Sequence, residues 1–264
     1  MPIELYNDGN HICLMFNDLV TGDVAVQANQ FLIVSQKEGA LIDPSGNMTF
    51  NALSLAILKY FPYKKLKYLL ASHQDPDIIA SLNKWLFSTD CHLYVSQLWS
   101  RFVPHFCNVN RADDRITGIP DEGMSLMLGN SRIFAVPAHF LHAEGNFQFY
   151  DEKSKILFSG DMGASMVDDH TITQPITTKA EFLAHLPTMS GFHKRYMVSN
   201  KVCRYWANMV RDMLNEGKVS MLVPQHGRYF VGAEAIHAFL DWVSELSCGV
   251  DLFTQLNYRF PTAT

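Results

Sequence analysis

Lys67-Tyr-Leu-Leu-Ala-Ser-His73-Gln-Asp75-Pro-Asp77 is an apolar run that ends in one imidazole and two carboxylates. A short apolar run bounded by polar residues and proline reads as a buried strand, so the three groups sit at a strand end. On an extended segment alternate side chains point the same way, which lets positions 73, 75 and 77 face one cavity. The pattern recurs three times. Arg132-Ile-Phe-Ala-Val-Pro runs into His139-Phe-Leu-His142, Lys155-Ile-Leu-Phe-Ser-Gly into Asp161, and Val219-Ser-Met-Leu-Val-Pro-Gln into His226-Gly227. Groups at several strand ends converge in space however far apart they lie in sequence. Three His and three Asp suit two first-row metal ions sharing a bridge.

Each residue alone has a plainer reading. Asp75 before Pro76 is a helix N-cap with proline in the first turn. His73 reads as a satisfied core histidine and Asp161 as a turn residue. Either His139 or His142 serves as the ligand of the run that begins at Arg132. His226 stands beside a glycine that lets the backbone approach closely. Their joint occurrence points to a binuclear centre.

Composition narrows the alternatives. Of the 264 residues 48% are hydrophobic and 18% charged, which excludes a disordered chain. A formal charge of −5 and no long basic run argue against nucleic acid or an anionic membrane as partner. No apolar stretch approaches the roughly 18 residues that a bilayer span requires. Met1-Pro-Ile-Glu-Leu-Tyr-Asn-Asp8 lacks the basic and apolar regions of a secretory signal. Cysteines 13, 91, 107, 203 and 248 are odd in number and lack Cys-x-x-Cys spacing, which fits reduced thiols in the cytoplasm.

Along the chain, Asn29–Ser35 and Ala40–Gly46 read as a hairpin and turn, and Met48–Tyr60 as a helix closed by Pro62. The strand at 67–72 follows, then a helix over Asp77–Phe87 and a short strand at His92–Ser96. Gly123–Leu128 with Ser131–Val136, and Phe147–Asp151 with Lys155–Ser159, read as hairpin pairs. Lys201–Asn215 and Ala233–Leu246 are helices, and the last residues a loose tail. Residues 162–200 read as a long loop with short helices that caps the site. Two β-rich layers with outer helices are the natural packing. A single domain over 1–264 is expected, its halves at about 1–122 and 123–260.

In order and spacing these segments resemble the metallo-β-lactamase superfamily, and within it the flavodiiron branch. The superfamily carries His-x-His-x-Asp-His, then a His, a bridging Asp and a final His. The flavodiiron branch replaces the second His by a carboxylate, and His73-Gln-Asp75-Pro-Asp77 has a carboxylate at that place. Leu141-His142 resembles the family's Leu-His segment, which favours His142 over His139. Ser159-Gly-Asp161 and Pro224-Gln-His226-Gly resemble the remaining ligand segments. The resemblance implies an αββα sandwich of α/β (α+β) class, with two mixed sheets and helices on the outer faces. It implies two Fe ions with an oxo, hydroxo or peroxo bridge, held by His73, Asp75, Asp77, His142, Asp161 and His226.

Two departures bear on chemistry. Asp75 is one methylene shorter than the branch's usual Glu, and Ile78 stands where the hydrolases have a metal-binding His. Arg204-Tyr205-Trp-Ala-Asn-Met resembles a family helix in which a tyrosine faces the open iron position. That places Tyr205 beside bound O2, against the alternative of a helix residue packed on the sheet. His170, His185 and His193 are expected at the surface, with a supporting place behind the ligands as the alternative. His11, His92, His105 and His237 read as structural or exposed.

Three carboxylates against two divalent ions leave one positive charge, which a bridging hydroxide cancels. Such a site is a weaker Lewis acid than a nitrogen-rich dizinc site and suits iron. Flavodiiron enzymes carry a flavodoxin domain with FMN after this one; here none is expected, and electrons would need an outside donor. The resemblance therefore implies a protein that binds O2 and reports it, like the oxygen-binding diiron proteins viewed as sensors in bacterial chemotaxis. Its partners would be O2 or NO, a signalling protein or separate donor, and a second copy, since related enzymes are dimers. The alternatives are an O2 or NO reductase fed by an external donor, and a binuclear hydrolase.

Overall fold

A computed structural model describes residues 1–20, 25–107, 113–168 and 171–261. Seven strands form the first sheet in sequence order: β1 (Ile3–Asn7), β2 (His11–Phe16), β3 (Gln30–Ser35), β4 (Glu38–Ile42), β5 (Leu66–Leu70), β6 (His92–Ser96) and β7 (Ile116–Ile119). β1 through β4 pair antiparallel, β4 through β7 parallel. The second sheet has the order β13-β12-β11-β10-β9-β8, built from β8 (Met124–Leu128), β9 (Ser131–Pro137), β10 (Phe147–Asp151), β11 (Ile156–Phe158), β12 (Met221–Val223) and β13 (Phe230–Val231). Only β11 and β12 run parallel there.

Three apolar clusters explain the layering. Cys13, Met15, Phe31, Ile33, Ile42, Leu70, Phe147, Phe149 and Phe158 meet between the sheets. Their strand neighbours Leu14, Leu32, Leu41 and Leu69 point outward, onto α1 (Phe50–Ile57), α2 (Pro76–Ile79) and α3 (Leu82–Ser88). On the other side Tyr150, Leu157 and Leu222 pack under α5 (Lys179–His185), α6 (Pro187–Tyr196), α7 (Asn200–Asn215) and α8 (Ala233–Ser244). The central strands are buried on both faces, so they read as unbroken apolar runs rather than alternating ones. The result is helix, sheet, sheet, helix, the layering that the resemblance implies, with a short α4 (Gln97–Ser100) beside β6 and β7.

The details differ from the sequence reading in instructive places. Asp77–Phe87 is two helices. Ser81 breaks them because its hydroxyl and N–H both donate to carbonyls of the loop after β4, the hydroxyl to Pro44 and Ser45 and the N–H to Ser45. Those bonds remove Ser81 from the helical ladder. The N-terminal pair β1–β2 and the edge strand β7 carry no alternation that announces them. Residues 162–200 do hold two short helices, α5 and α6, and α5 opens on a capping box between Thr178 and Glu181.

The topology also sets where the site lies. β9, β11 and β12 point the same way, since β10 is antiparallel to both β9 and β11 while β12 is parallel to β11. Their C-terminal ends therefore deliver His142, Asp161 and His226 to one edge of the sandwich, where β5 delivers His73, Asp75 and Asp77.

Candidate metal centre

Asp161 organises the site. It lies in the turn after β11, with Gly160 at φ +54° turning the chain, and is 3% exposed. Its Oδ2 faces His142 Nε2 at 3.3 Å and His73 Nε2 at 3.7 Å. Its Oδ1 faces His226 Nε2 at 3.6 Å. Asp75 Oδ2 completes the first nest, 3.1 Å from His142 Nε2 and 3.7 Å from His73 Nε2. Asp77 Oδ2 completes the second, 3.5 Å from His226 Nε2. One carboxylate thus divides its two oxygens between two groups of donors.

The chain fits a pair of metal ions here. One donor atom each from His73, Asp75, His142 and Asp161 falls within 4.8 Å of the others. Asp161 Oδ1 is buried with no hydrogen-bond partner among the described residues, a costly placement for a carboxylate oxygen unless a cation meets it. His226 Nδ1 lies 2.8 Å from the Gln27 carbonyl, which only accepts, so Nδ1 donates there and Nε2 is the nitrogen turned to the site. His73 Nδ1 is held by the Ser72 hydroxyl at 3.0 Å. Imidazoles oriented through the far nitrogen are the usual support for metal ligands.

The helix-cap reading of Asp75 is half right. Asp75 is the N-cap of α2 with Pro76 after it, but its side chain makes no capping bond and turns to His142 instead. Nor do 73, 75 and 77 share one extended segment: β5 ends at Leu70 and Asp77 lies in the first turn of α2, so Asp77 reaches the second nest while His73 and Asp75 reach the first. His139 points away from the site, its Nε2 donating to the Asp121 carbonyl at 2.8 Å. Gly227 is required by close approach: at φ +77° any Cβ would run into Ser165.

In the metal-free cluster charge is balanced by protons. Burial alone would push the His73 imidazolium down, but the carboxylates of Asp161 and Asp75 overcome it and hold the group up at about 9. Burial likewise opposes ionisation of Asp75, yet its contacts with His142 and His73 hold it well below the ordinary carboxylate range. Burial pushes Asp77 up. Because the folded pKa of His73 lies above its unfolded value of roughly 6.5, its pairing stabilises the metal-free fold fully below that pH. The contribution is lost as pH rises through about 9. A metal must displace this proton. Metal uptake at neutral pH should release a proton from His73, with apparent affinity climbing until about pH 9. A pH-stat titration checks this; proton-neutral uptake would contradict it.

A cavity of about 680 Å³ opens over the nests, lined by Asp75, Asp77, His142, Asp161 and His226. Its walls are mostly apolar, among them Val26, Met48, Met166, Phe192 and Tyr196. His73 lies behind them, 1% exposed.

Tyr205 is not at this cavity. It is 64% exposed on the outer side of α7, because the buried stripe of that helix runs through Cys203, Trp206, Ala207 and Val210. The tyrosine beside the site is Tyr196, its ring 5.4 Å from that of His142 and stacked on Phe192 at 4.7 Å. The i, i+4 spacing of Phe192 and Tyr196 after Pro187 was the available signal.

Asp43 was also missed. It is buried, accepts from the Ser72 N–H at 2.9 Å, and is pushed up to about 6 by burial. Ala40-Leu-Ile-Asp43-Pro obeys the same rule, an apolar run ending in a carboxylate, as the other four. His193 and His185 are buried rather than at the surface. His193 Nε2 accepts from Gly163 N–H at 3.0 Å and so props the loop after Asp161. Burial pushes it down to about 4, so it stays neutral. His170 lies outside the described residues. His92 and His105 are exposed and His237 is half-buried, whereas His11 is buried against Asp151.

No match was found among curated proteins. A solved structure described as a peroxy diiron species of chemotaxis sensor ODP is 38% identical to this chain, with a TM-score of 0.80 over 95% of this chain and 97% of its own. The apo state of chemotaxis sensor ODP from T. denticola is likewise 38% identical, with a TM-score of 0.83 over 96% and 97%. A mutant flavo di-iron protein from Thermotoga maritima, 18% identical, shares the fold with a TM-score of 0.69 over 92% of this chain and 60% of its own. The sequence model of ODP family beta lactamase matches residues 26–227. With that match and relatives covered nearly end to end, the chain belongs to the ODP family of beta-lactamase-like proteins.

Proposed function

We propose that this protein holds two iron ions between its sheets and serves as an O2 sensor in bacterial chemotaxis. The divided Asp161 carboxylate carries this reading, because a single group facing two sets of donors is what a bridged pair of ions requires. His73, His142 and Asp75 would hold one ion, His226 and Asp77 the other, with Asp161 between them. The donor set is three carboxylates and three imidazoles with no thiol, which suits iron. Ile78 supports this over a hydrolase: it is fully buried among apolar side chains, so no further nitrogen ligand joins Asp77. The resemblance to sensors described as diiron species supports the role.

Two ferrous ions, when bound, supply the electrons and coordination positions that O2 uptake needs. The chain's own groups do the rest. The Gln27 carbonyl and the Ser72 hydroxyl fix the His226 and His73 rings. Val26, Met166, Phe192 and Tyr196 make the chamber apolar, which favours O2 over water. Residues 162–200 form part of that wall and are the natural place for output to a signalling partner. No helix among the described residues is long and apolar enough to cross a membrane. All five cysteines are unpaired, which supports a reducing, cytoplasmic setting. A homodimer remains part of the proposal by analogy.

Anaerobic loading with ferrous iron should give two ions per chain. Admitting O2 should then produce a lasting visible band without NADH-coupled turnover. Immediate, irreversible bleaching to the diferric form would overturn the sensor reading. Two bound zinc ions with robust hydrolysis would overturn the choice of metal as well.

A further inference from the structure

His11 and Cys13 stand two apart on β2, so their side chains leave the same face of the strand, the one turned to the second sheet. Asp151, at the end of β10, meets them there. His11 Nε2 lies 2.8 Å from Asp151 Oδ2, and Cys13 Sγ lies 3.7 Å from each of those two atoms. All three residues are at most 1% exposed. A triangle with these sides has its centre about 2.0 Å from every corner. That is close to zinc–nitrogen and zinc–oxygen bonds of roughly 2.0–2.2 Å and a little short of a zinc–sulfur bond of about 2.3 Å. A small outward shift of the thiol therefore admits a metal ion among the donors, with no cavity needed. Hydrogen bonding alone accounts poorly for the crowding. The His11 imidazole, the Cys13 thiol, the Ser154 N–H and the Ser154 hydroxyl all converge on Asp151 Oδ2, whereas a carboxylate oxygen offers about two lone-pair sites. A cation seated among the three side chains relieves that excess, since imidazole, thiolate and carboxylate then each give it a lone pair.

We propose that His11, Cys13 and Asp151 bind one zinc-class divalent ion, which clasps the two sheets at the edge opposite the candidate metal centre. Asp151 lies at the C-terminal end of β10, whereas the centre lies at the C-terminal ends of β9 and β11, which run antiparallel to β10. The charges close. Thiolate and carboxylate carry two negative charges and neutral imidazole none, so one divalent ion cancels them in a buried place where an unpaired charge is costly. Sulfur beside nitrogen selects zinc-like ions, unlike the oxygen-rich nests around Asp161. The Ser154 hydroxyl, beside Asp151 Oδ2, is at hand for the fourth position of a tetrahedron. The site stands on these residues alone and holds whether or not the first centre takes iron.

Producing the full-length protein in cobalt-supplemented minimal medium lets the ion enter as the chain folds. Wild type should show intense near-ultraviolet thiolate-to-cobalt charge transfer, a band the first centre cannot give because it holds no thiol. Cys13→Ala and His11→Ala should each weaken that band about tenfold or more, at least the effect of losing a supporting partner of a ligand. Cys203→Ala, which alters the other close pair of thiols, should leave it intact. Protein grown with zinc should carry one more zinc ion per chain in wild type than in Cys13→Ala, and that ion should raise the melting temperature of wild type alone. Melting curves show that the variants fold, and Cys13→Ala removes only one small side chain should His11→Ala not fold. A wild type without the thiolate band would overturn the site, as would a band and an ion count that survive Cys13→Ala.

Discussion

Asp161→Ala is expected to reduce iron from two ions per chain to fewer than one and to abolish the O2-dependent visible change. Among the described residues, Asp161 alone presents oxygens to both nests. Its loss leaves the first nest with two imidazoles and one carboxylate, and the second with one of each. The second ion should bind more than about a hundredfold more weakly, beyond the 10–100-fold cost of losing a mere supporting partner. Asp161→Asn keeps the volume but turns one oxygen into an amide donor, so at most one nest survives. The fold itself should persist. The Asp161 carboxylate disfavours ionisation of Asp77 and Asp43 while it attracts His73, so these changes oppose one another in the metal-free protein. Metal analysis after dialysis against limiting ferrous ion, with a melting curve of the metal-free variant, separates lost metal from lost fold. Two retained irons in Asp161→Ala would refute the bridging role.

Asp151→Ala is expected to destabilise the protein by about 3–5 kcal/mol, the range for removing one partner of a buried carboxylate cluster and stranding the rest. Asp151 ends β10 in the second sheet and His11 opens β2 in the first; both are buried, with Nε2 and Oδ2 2.8 Å apart. The same carboxylate accepts from Ser131 Oγ at 3.3 Å, from Ser154 N–H at 3.0 Å and from Ser154 Oγ. Burial pushes Asp151 up, but the His11 bond and the Ser154 bonds outweigh it and hold the group below its ordinary value. Its contribution is therefore present above the usual carboxylate pKa and lost as pH falls. Truncation strands these donors together, and the Cys13 thiol with them. Differential scanning calorimetry should show a drop of roughly 6–20 °C, at about 2–4 °C per kcal/mol for a chain of this size. Replacing both partners, His11→Phe with Asp151→Leu, should recover about half or more of the loss, since an apolar pair removes the stranded imidazole. No recovery would mean that Ser131 and Ser154, rather than the His11 contact, carry the effect.

Much of the architecture was legible in the chain. The runs before His73, His142, Asp161 and His226 announced buried strands because both faces of those strands are covered, so every position is apolar. The same continuity hid β2: His11-Ile-Cys-Leu-Met-Phe16 has no alternation, and its opening histidine read as structural or exposed until Asp151 decided for the structural role. Tyr205 was misplaced because the helix phase of α7 depends on which stripe the sheet covers, and Cys203 with Trp206 won that face. Asp75 fitted two readings at once, and the backbone satisfied one while the carboxylate satisfied the other.

By itself the sequence determined the inventory of the site and the ends of the strands that carry it, because strand burial and turn chemistry are local properties of residue order. Only the tertiary structure decided how that inventory divides: which oxygen of Asp161 meets which imidazoles, and that Tyr196 rather than Tyr205 flanks His142. Those outcomes depend on how two sheets and their outer helices approach one another, and distances between elements far apart in the chain are not encoded in any single stretch of it.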